Sequence, residues 1–202
     1  MRRSVKSHTN PTRSRAFTLV EVLVTVVVLS IATVIVIPSM NSTGVLRVQS
    51  AVRQTVADIT FAQSDAMAYQ SRRAIWFERV PEDPYATPWN FTVGNGYTLA
   101  EVNGPLLDLN THAMFHPDDQ VGPYSRDFSE ERYGGARITE VNFDDDGLLV
   151  FDALGGPVQG LTSEEPSEGG FVEIVGGAND EWVFRINVSP MTGRIVVERV
   201  EP

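Results

Sequence analysis

The sequence predicts an α+β fold: a long N-terminal helix packed on an antiparallel β-sheet domain. Three observations predict it. Residues 17–37 are an apolar run in which every helical face carries Val, Leu or Ile. Residues 45–70 repeat apolar side chains at spacings of three and four. From Ala74 onward, short β-rich runs alternate with Gly- and Pro-containing turns. The implied divisions are a basic leader (1–16), a membrane-crossing helical segment (17–44), and an amphipathic helix with a β-rich outer domain (45–202).

The leader holds Arg2, Arg3, Lys6, Arg13 and Arg15 and no acid. No charged side chain lies between Val22 and Leu46. A hydrocarbon core about 30 Å thick is crossed by a helix of roughly 20 apolar residues, and basic flanks stay on the cytoplasmic side. The outer domain is thereby expected outside the cytoplasmic membrane. Thr25, Ser30 and Thr33 can bond back to carbonyls one turn earlier, so they do not forbid a span. Pro38 removes one backbone bond and is expected to kink the helix. Asn41-Ser42-Thr43-Gly44 reads as a bend.

The second helical stretch places Val45, Val48, Val52, Val56, Ile59, Ala62, Ala66 and Tyr69 on one stripe. Arg47, Arg53, Asp58 and Gln63 fall between them. This is the pattern of an amphipathic helix ending near Gln70. Strands are expected at Ala74–Glu78 and Tyr97–Val102, with a surface loop from Pro81 to Pro88. Residues 103–137 read as a long, partly mobile excursion. Ile138–Phe143 and Leu148–Phe151 read as a hairpin about Asp144-Asp145-Asp146-Gly147, and 155–170 as loop. Phe171–Val175, Trp182–Val188 and Arg194–Val200 read as strands, the last two joined by the turn Ser189–Gly193.

The stretch Ala16-Phe17-Thr18-Leu19-Val20-Glu21, with the basic leader before it and Pro38 beyond, resembles the class III signal of type IV pilins and type II secretion pseudopilins. The ending Arg185–Ile195, with its Thr192-Gly193-Arg194 turn, resembles the C-terminal signature of GspH/FimT-type minor pseudopilins. Phe143 with Asp146-Gly147 resembles that family's upstream strand and turn. The resemblance covers both ends and hardly touches 80–137. It implies cleavage between Ala16 and Phe17 by a prepilin peptidase, N-methylation of Phe17 by the same enzyme, and subunit assembly through Glu21 and Pro38. The family usually has Gly where this chain has Ala16. A secretory signal peptide would have a shorter apolar core followed by its own cleavage site, and an ordinary anchor would leave Glu21 without a reason.

Glu21 is the fifth residue of the processed chain. Ionised and alone in hydrocarbon it would cost several kcal/mol. The amine freed on Phe17 of a neighbouring subunit, or its own, would supply a partner. The other reading is a Glu favoured by the helix dipole and reaching the interface.

Five of the 16 basic residues lie in the leader, so the processed chain carries 11 basic against 26 acidic residues, a net charge of −15. That surface repels nucleic acid. The outer domain lacks Lys, and its Arg185, Arg194 and Arg199 are diluted by acids. A DNA-capturing FimT-like role is the alternative function, and a plain tethered β domain a third. There is no Cys, so the domain is held by its core alone. No nucleophile–base set, phosphate loop or cofactor fingerprint occurs, and neither an enzymatic activity nor a cofactor is expected. Asn142, Asp144 and Asp146 with Gly147 match half of an EF-hand loop, but Ala153 stands where the bidentate acid belongs. An acidic turn is therefore favoured over a calcium site. His112 and His116 have the spacing of a helical metal pair, which Pro117 argues against. The expected partners are other pilins or pseudopilins, the processing enzyme and the inner membrane.

Overall fold

The computed structural model describes residues 17–40, 42–117, 121–144, 147–177 and 180–201. Side chains are described for all of these except 32–43. The chain divides into two units, residues 1–42 and 43–202.

The first unit contains helix α1 (Leu19–Met40), which runs past Pro38. From Phe17 to Ile31 every side chain is exposed. Thr25 Oγ1 and Ser30 Oγ donate to the carbonyls of Val22 and Val26, both at 2.8 Å, which is the back-bonding expected of hydroxyls in an apolar helix.

The second unit is built on α2 (Ser42–Tyr69). Ser42, Thr43 and Gly44 are helical rather than bent. Val48, Ala51, Val52, Ile59, Ala62 and Ala66 are buried as the apolar spacing requires. The buried face is rotated from the expected stripe in two respects. Tyr69 is 71% exposed, while Thr55 and Asp58 are buried. Thr55 satisfies its hydroxyl on the Ala51 carbonyl at 3.0 Å.

Among the described residues nine strands follow, in two antiparallel sheets rather than one. The first sheet has the order β3-β2-β1-β5-β6, from β1 (Arg73–Pro81), β2 (Phe91–Glu101), β3 (Ser125–Asp127), β5 (Leu148–Phe151) and β6 (Pro157–Val158). The second has the order β4-β7-β8-β9, from β4 (Arg137–Asn142), β7 (Gly170–Gly176), β8 (Trp182–Val188) and β9 (Ile195–Val200). One hydrophobic core joins α2 to Ile75, Phe77, Leu99 and Phe151 of the first sheet and to Val172, Ile174, Ile186 and Val188 of the second. A smaller cluster on the outer side of the first sheet gathers Ala74, Leu148, Val150 and Val158.

The expected hairpin of β4 and β5 does not form. β4 pairs with β7, and β5 pairs with β1 and β6, so the acidic loop crosses from one sheet to the other. Burial explains the split. β5 is buried at all four positions, as the interior of a sheet demands, whereas β4 is an exposed edge strand.

The excursion 103–137 is also corrected, because it is packed into the domain. Its chain is pinned to β2: Met114 N donates to Leu99 O at 2.9 Å, and Leu99 N donates to Tyr124 O at 2.8 Å. Tyr124, Arg126, Phe128, Tyr133 and Ala136 are buried. Gly96 permits the close passage of β3, since a Cβ there would stand 1.8 Å from the Arg126 carbonyl oxygen. The C-terminal turn is likewise docked. Gly193 has φ +62°, and Gln63 of α2 donates to Gly155 O at 2.7 Å and Thr192 O at 3.1 Å.

Candidate functional site

The N-terminal segment is the candidate assembly site. Thr18 lies just before α1, and its Oγ1 accepts from Glu21 N at 3.2 Å. The Thr18 carbonyl accepts from Glu21 N at 3.0 Å and from Val22 N at 3.2 Å. Thr18 is thus the N-cap, and Glu21 stands at the third helical position, the spacing of a capping box. Sequence reasoning took this Thr only as part of a motif; the Thr-x-x-Glu spacing was the signal that could have found the cap. A carboxylate in the first turn also meets the positive end of the helix dipole. Glu21 therefore has a local role in starting the helix, whatever else it contacts.

Phe17 is 77% exposed. The large apolar side chains from Phe17 to Ile31 form a continuous exposed surface. Such a surface marks a site of contact with lipid or protein. Ala16 lies outside the described residues, as does the side chain of Pro38. Among the described residues no helix is long and apolar enough to cross a membrane.

Residues 11–37 match the family model of the prokaryotic N-terminal methylation motif. This N-terminal segment is type IV pilin-like. No curated protein and no solved structure matches the chain. The matched stretch includes Ala16, Phe17, Glu21 and the apolar run to Ile37. The α+β arrangement beyond it, a helix followed by antiparallel sheets, agrees with a pilin-like fold.

The described metal candidates fall on different elements. Asp146 lies outside the described residues. Asn142 ends β4, whereas Leu148, which would be the seventh loop position, opens the buried strand β5. An EF-type loop needs those later positions to curl around the cation, and here they are committed to sheet pairing with β1. His112 closes the four-residue helix α3 (Leu109–His112), a helical turn that the sequence reading did not expect. Its Nδ1 accepts from Asp108 N at 3.1 Å. His116 instead packs edge-on against Tyr124, with Nε2 3.1 Å from Arg126 Nη1. The two imidazoles serve different neighbours. Among the described residues no cluster of His, Asp or Glu could hold a metal.

The strongest electrostatic feature of the outer domain is one that the sequence reading missed. Asp58, 1% exposed, gathers four donors. Its Oδ1 accepts from Gln54 Nε2 at 2.8 Å and Tyr124 Oη at 2.9 Å. Its Oδ2 accepts from Tyr97 Oη and Arg126 Nε, both at 2.8 Å. Burial, then the Asp58 charge, pushes the Tyr97 and Tyr124 hydroxyls above the ordinary tyrosine range. Burial works against the Arg126 cation, but the bond to Asp58 and its charge outweigh it, and Arg126 is held above the usual arginine value. The carboxylate, guanidinium and phenols form a satisfied buried network that ties α2 to β2 and β3. Its groups satisfy one another.

Proposed function

We propose that this chain is a minor pseudopilin of the GspH/FimT type, a structural subunit of an inner-membrane-anchored type II secretion pseudopilus or a type IV pilus-like filament. The observation that carries the proposal is the methylation motif at 11–37 with its capped, carboxylate-bearing helix start. A prepilin peptidase cuts between Ala16 and Phe17 and methylates the freed amine. The apolar helix then sits as a single pass in the cytoplasmic membrane, with the β-rich domain on the periplasmic side. Assembly proceeds by packing of this helix against like helices of other pilins or pseudopilins. Glu21 meets a methylated ammonium and sets axial register, which removes the cost of an unpaired carboxylate in hydrocarbon. The role is assembly rather than catalysis.

The DNA-uptake alternative is weaker on electrostatic grounds. Five of the outer domain's 11 arginines, Arg73, Arg126, Arg132, Arg137 and Arg185, already face carboxylates. Phosphate neutralisation needs clustered free cations, and a low-salt gel shift should show no complex.

Intact mass and N-terminal sequence of protein extracted from its own membranes test the processing. The expected chain starts at Phe17 and carries one added methyl group; retention of Met1 would overturn the proposal. Glu21→Gln should be cleaved normally yet recovered poorly in filament fractions. Recovery equal to wild type would remove Glu21 from the register role.

A further inference from the structure

We propose that the outer domain carries a knob and a socket through which two copies of this chain join head to tail. This goes beyond the prepilin reading, which concerns only the N-terminal helix.

The socket is a groove of about 370 Å³ between α2 and the open edge strand β9, lined by Gln49, Val52, Arg53, Val56, Phe184 and Val197. β9 pairs only with β8, so its outer side is a sheet edge. The register sets Val197 across from Ile186 and Arg199 across from Phe184, which puts Arg199 beside the groove. Arg199 is held over the Trp182 ring at 4.3 Å. Val197 is 43% exposed, an apolar side chain left uncovered within an otherwise apolar floor. Arg53 and Arg199 are exposed, and among the described residues neither faces a carboxylate. In a domain so rich in acid, one cation lining an apolar slot and a second beside it on β9, neither with a counter-charge, define what fits there. The occupant is an apolar or aromatic side chain flanked by carboxylates.

The same chain presents that occupant on the loop between β1 and β2. Tyr85 is 79% exposed, and Glu82 and Asp83 beside it are exposed as well. The loop is shaped rather than loose. Tyr85 N donates to Asp83 Oδ1 at 2.9 Å, and Glu82 N donates to Asn90 O at 2.9 Å. Trp89 is buried behind it, edge-on to Phe115. Among the described residues neither Glu82 nor Asp83 faces a cation. Tyr85 supplies the large, rigid, amphipathic surface typical of interface anchors. Glu82 and Asp83 supply charge complementary to Arg53 and Arg199.

Knob and socket share no residue and belong to different sheets. One copy can therefore seat its knob in a second copy's socket while its own socket and the second copy's knob stay available. The strength of this contact should fall with salt, since the charged flanks are exposed.

The absence of native cysteine permits a clean test in the full chain within its own membranes. Tyr85→Cys and Val197→Cys are placed on separate, differently tagged copies and treated with a mild oxidant. The expected result is a disulfide-linked heterodimer that neither variant forms alone. Arg53→Glu with Arg199→Glu in the socket copy should cut its yield at least ten-fold, and Glu82→Arg with Asp83→Arg in the knob copy should restore it. No heterodimer while the thiol of the Val197→Cys copy reacts freely with maleimide would overturn the proposal. So would protection of that thiol without heterodimer, which would mean that another partner fills the groove, or a yield indifferent to charge reversal. Independently of thiols, wild-type full chain in detergent should sediment faster at low salt than the Arg53→Glu/Arg199→Glu variant. Identical sedimentation would also overturn it. A chain correctly cleaved at Phe17 but negative in these assays would refute the socket and leave the pseudopilin reading standing.

Discussion

Replacing Asp58 by Ala removes the acceptor shared by Gln54, Tyr97, Tyr124 and Arg126. Tyr97 is completely buried and Tyr124 nearly so, so two hydroxyls lose their partners where water cannot replace them, at about 1–3 kcal/mol each. Arg126 keeps a charge that cannot be titrated away at ordinary pH, with its side chain 10% exposed. Breaking a buried ion pair from one side typically costs about 3–5 kcal/mol. These figures describe one event and do not add, and the slight exposure of Arg126 favours the lower half, so the expected loss is about 3–4 kcal/mol. Against a domain stability of roughly 5–15 kcal/mol, that is a large fraction. Asp58→Asn retains one acceptor and should cost about 2 kcal/mol. The assay is chemical denaturation of the detergent-solubilised chain followed by tryptophan fluorescence, with the denaturant slope checked for constancy. A loss below about 1 kcal/mol for the Ala variant, as for a surface pair, would refute the network as a stabilising centre.

Three further outcomes follow from the same packing. Tyr97, Tyr124 and Tyr133 all have folded-state pKa values raised above 10.0, first through burial. The unfolded chain therefore loses these protons first as pH rises, and stability should be flat through neutral pH and fall above about pH 10; an unfolding midpoint unchanged up to about pH 11 would contradict this. Gly193→Ala forces a side chain into φ +62° and sets its Cβ 2.6 Å from Gln63 Nε2. It should cost about 1–3 kcal/mol, and a neutral result in the same denaturation assay would dismiss the docked turn. Added calcium should leave the melting temperature unchanged, because β5 holds the later positions of the acidic loop; a rise of several degrees at millimolar calcium would reinstate the site.

Local periodicity made α2 and strands β7 to β9 legible, because their apolar spacing and turn residues agree with where they pack. The N-terminal signal was legible for a different reason: the whole motif lies in one contiguous stretch of chain, residues 11–37. Asp58 was not legible. A carboxylate between apolar helical residues reads as solvent-facing, and its donors Tyr97, Tyr124 and Arg126 come from 39, 66 and 68 residues away. The same distance hid the packing of 103–137, where prolines and glycines suggest looseness while Tyr124, Phe128 and Tyr133 bury their rings. The split of β4 from β5 had a readable cue in the contrast between Arg137-Ile-Thr-Glu-Val-Asn142 and Leu148-Leu-Val-Phe151. The first alternates as an edge strand does, and the second is apolar throughout as an interior strand must be. The Asp-Gly turn signal between them outweighs that contrast in a purely local reading.

The two hydrogen bonds of Gln63 bear on how the domain is made. One of its acceptors, Thr192, lies 129 residues further along the chain. The helix that organises both sheets is thereby clasped to a turn far along the chain, a contact of high sequence separation whose loop-closure cost bears on folding rate more than on stability. A chain truncated before Gly193 would lose this clasp between helix and turn, and an added protease should digest it faster than the intact chain.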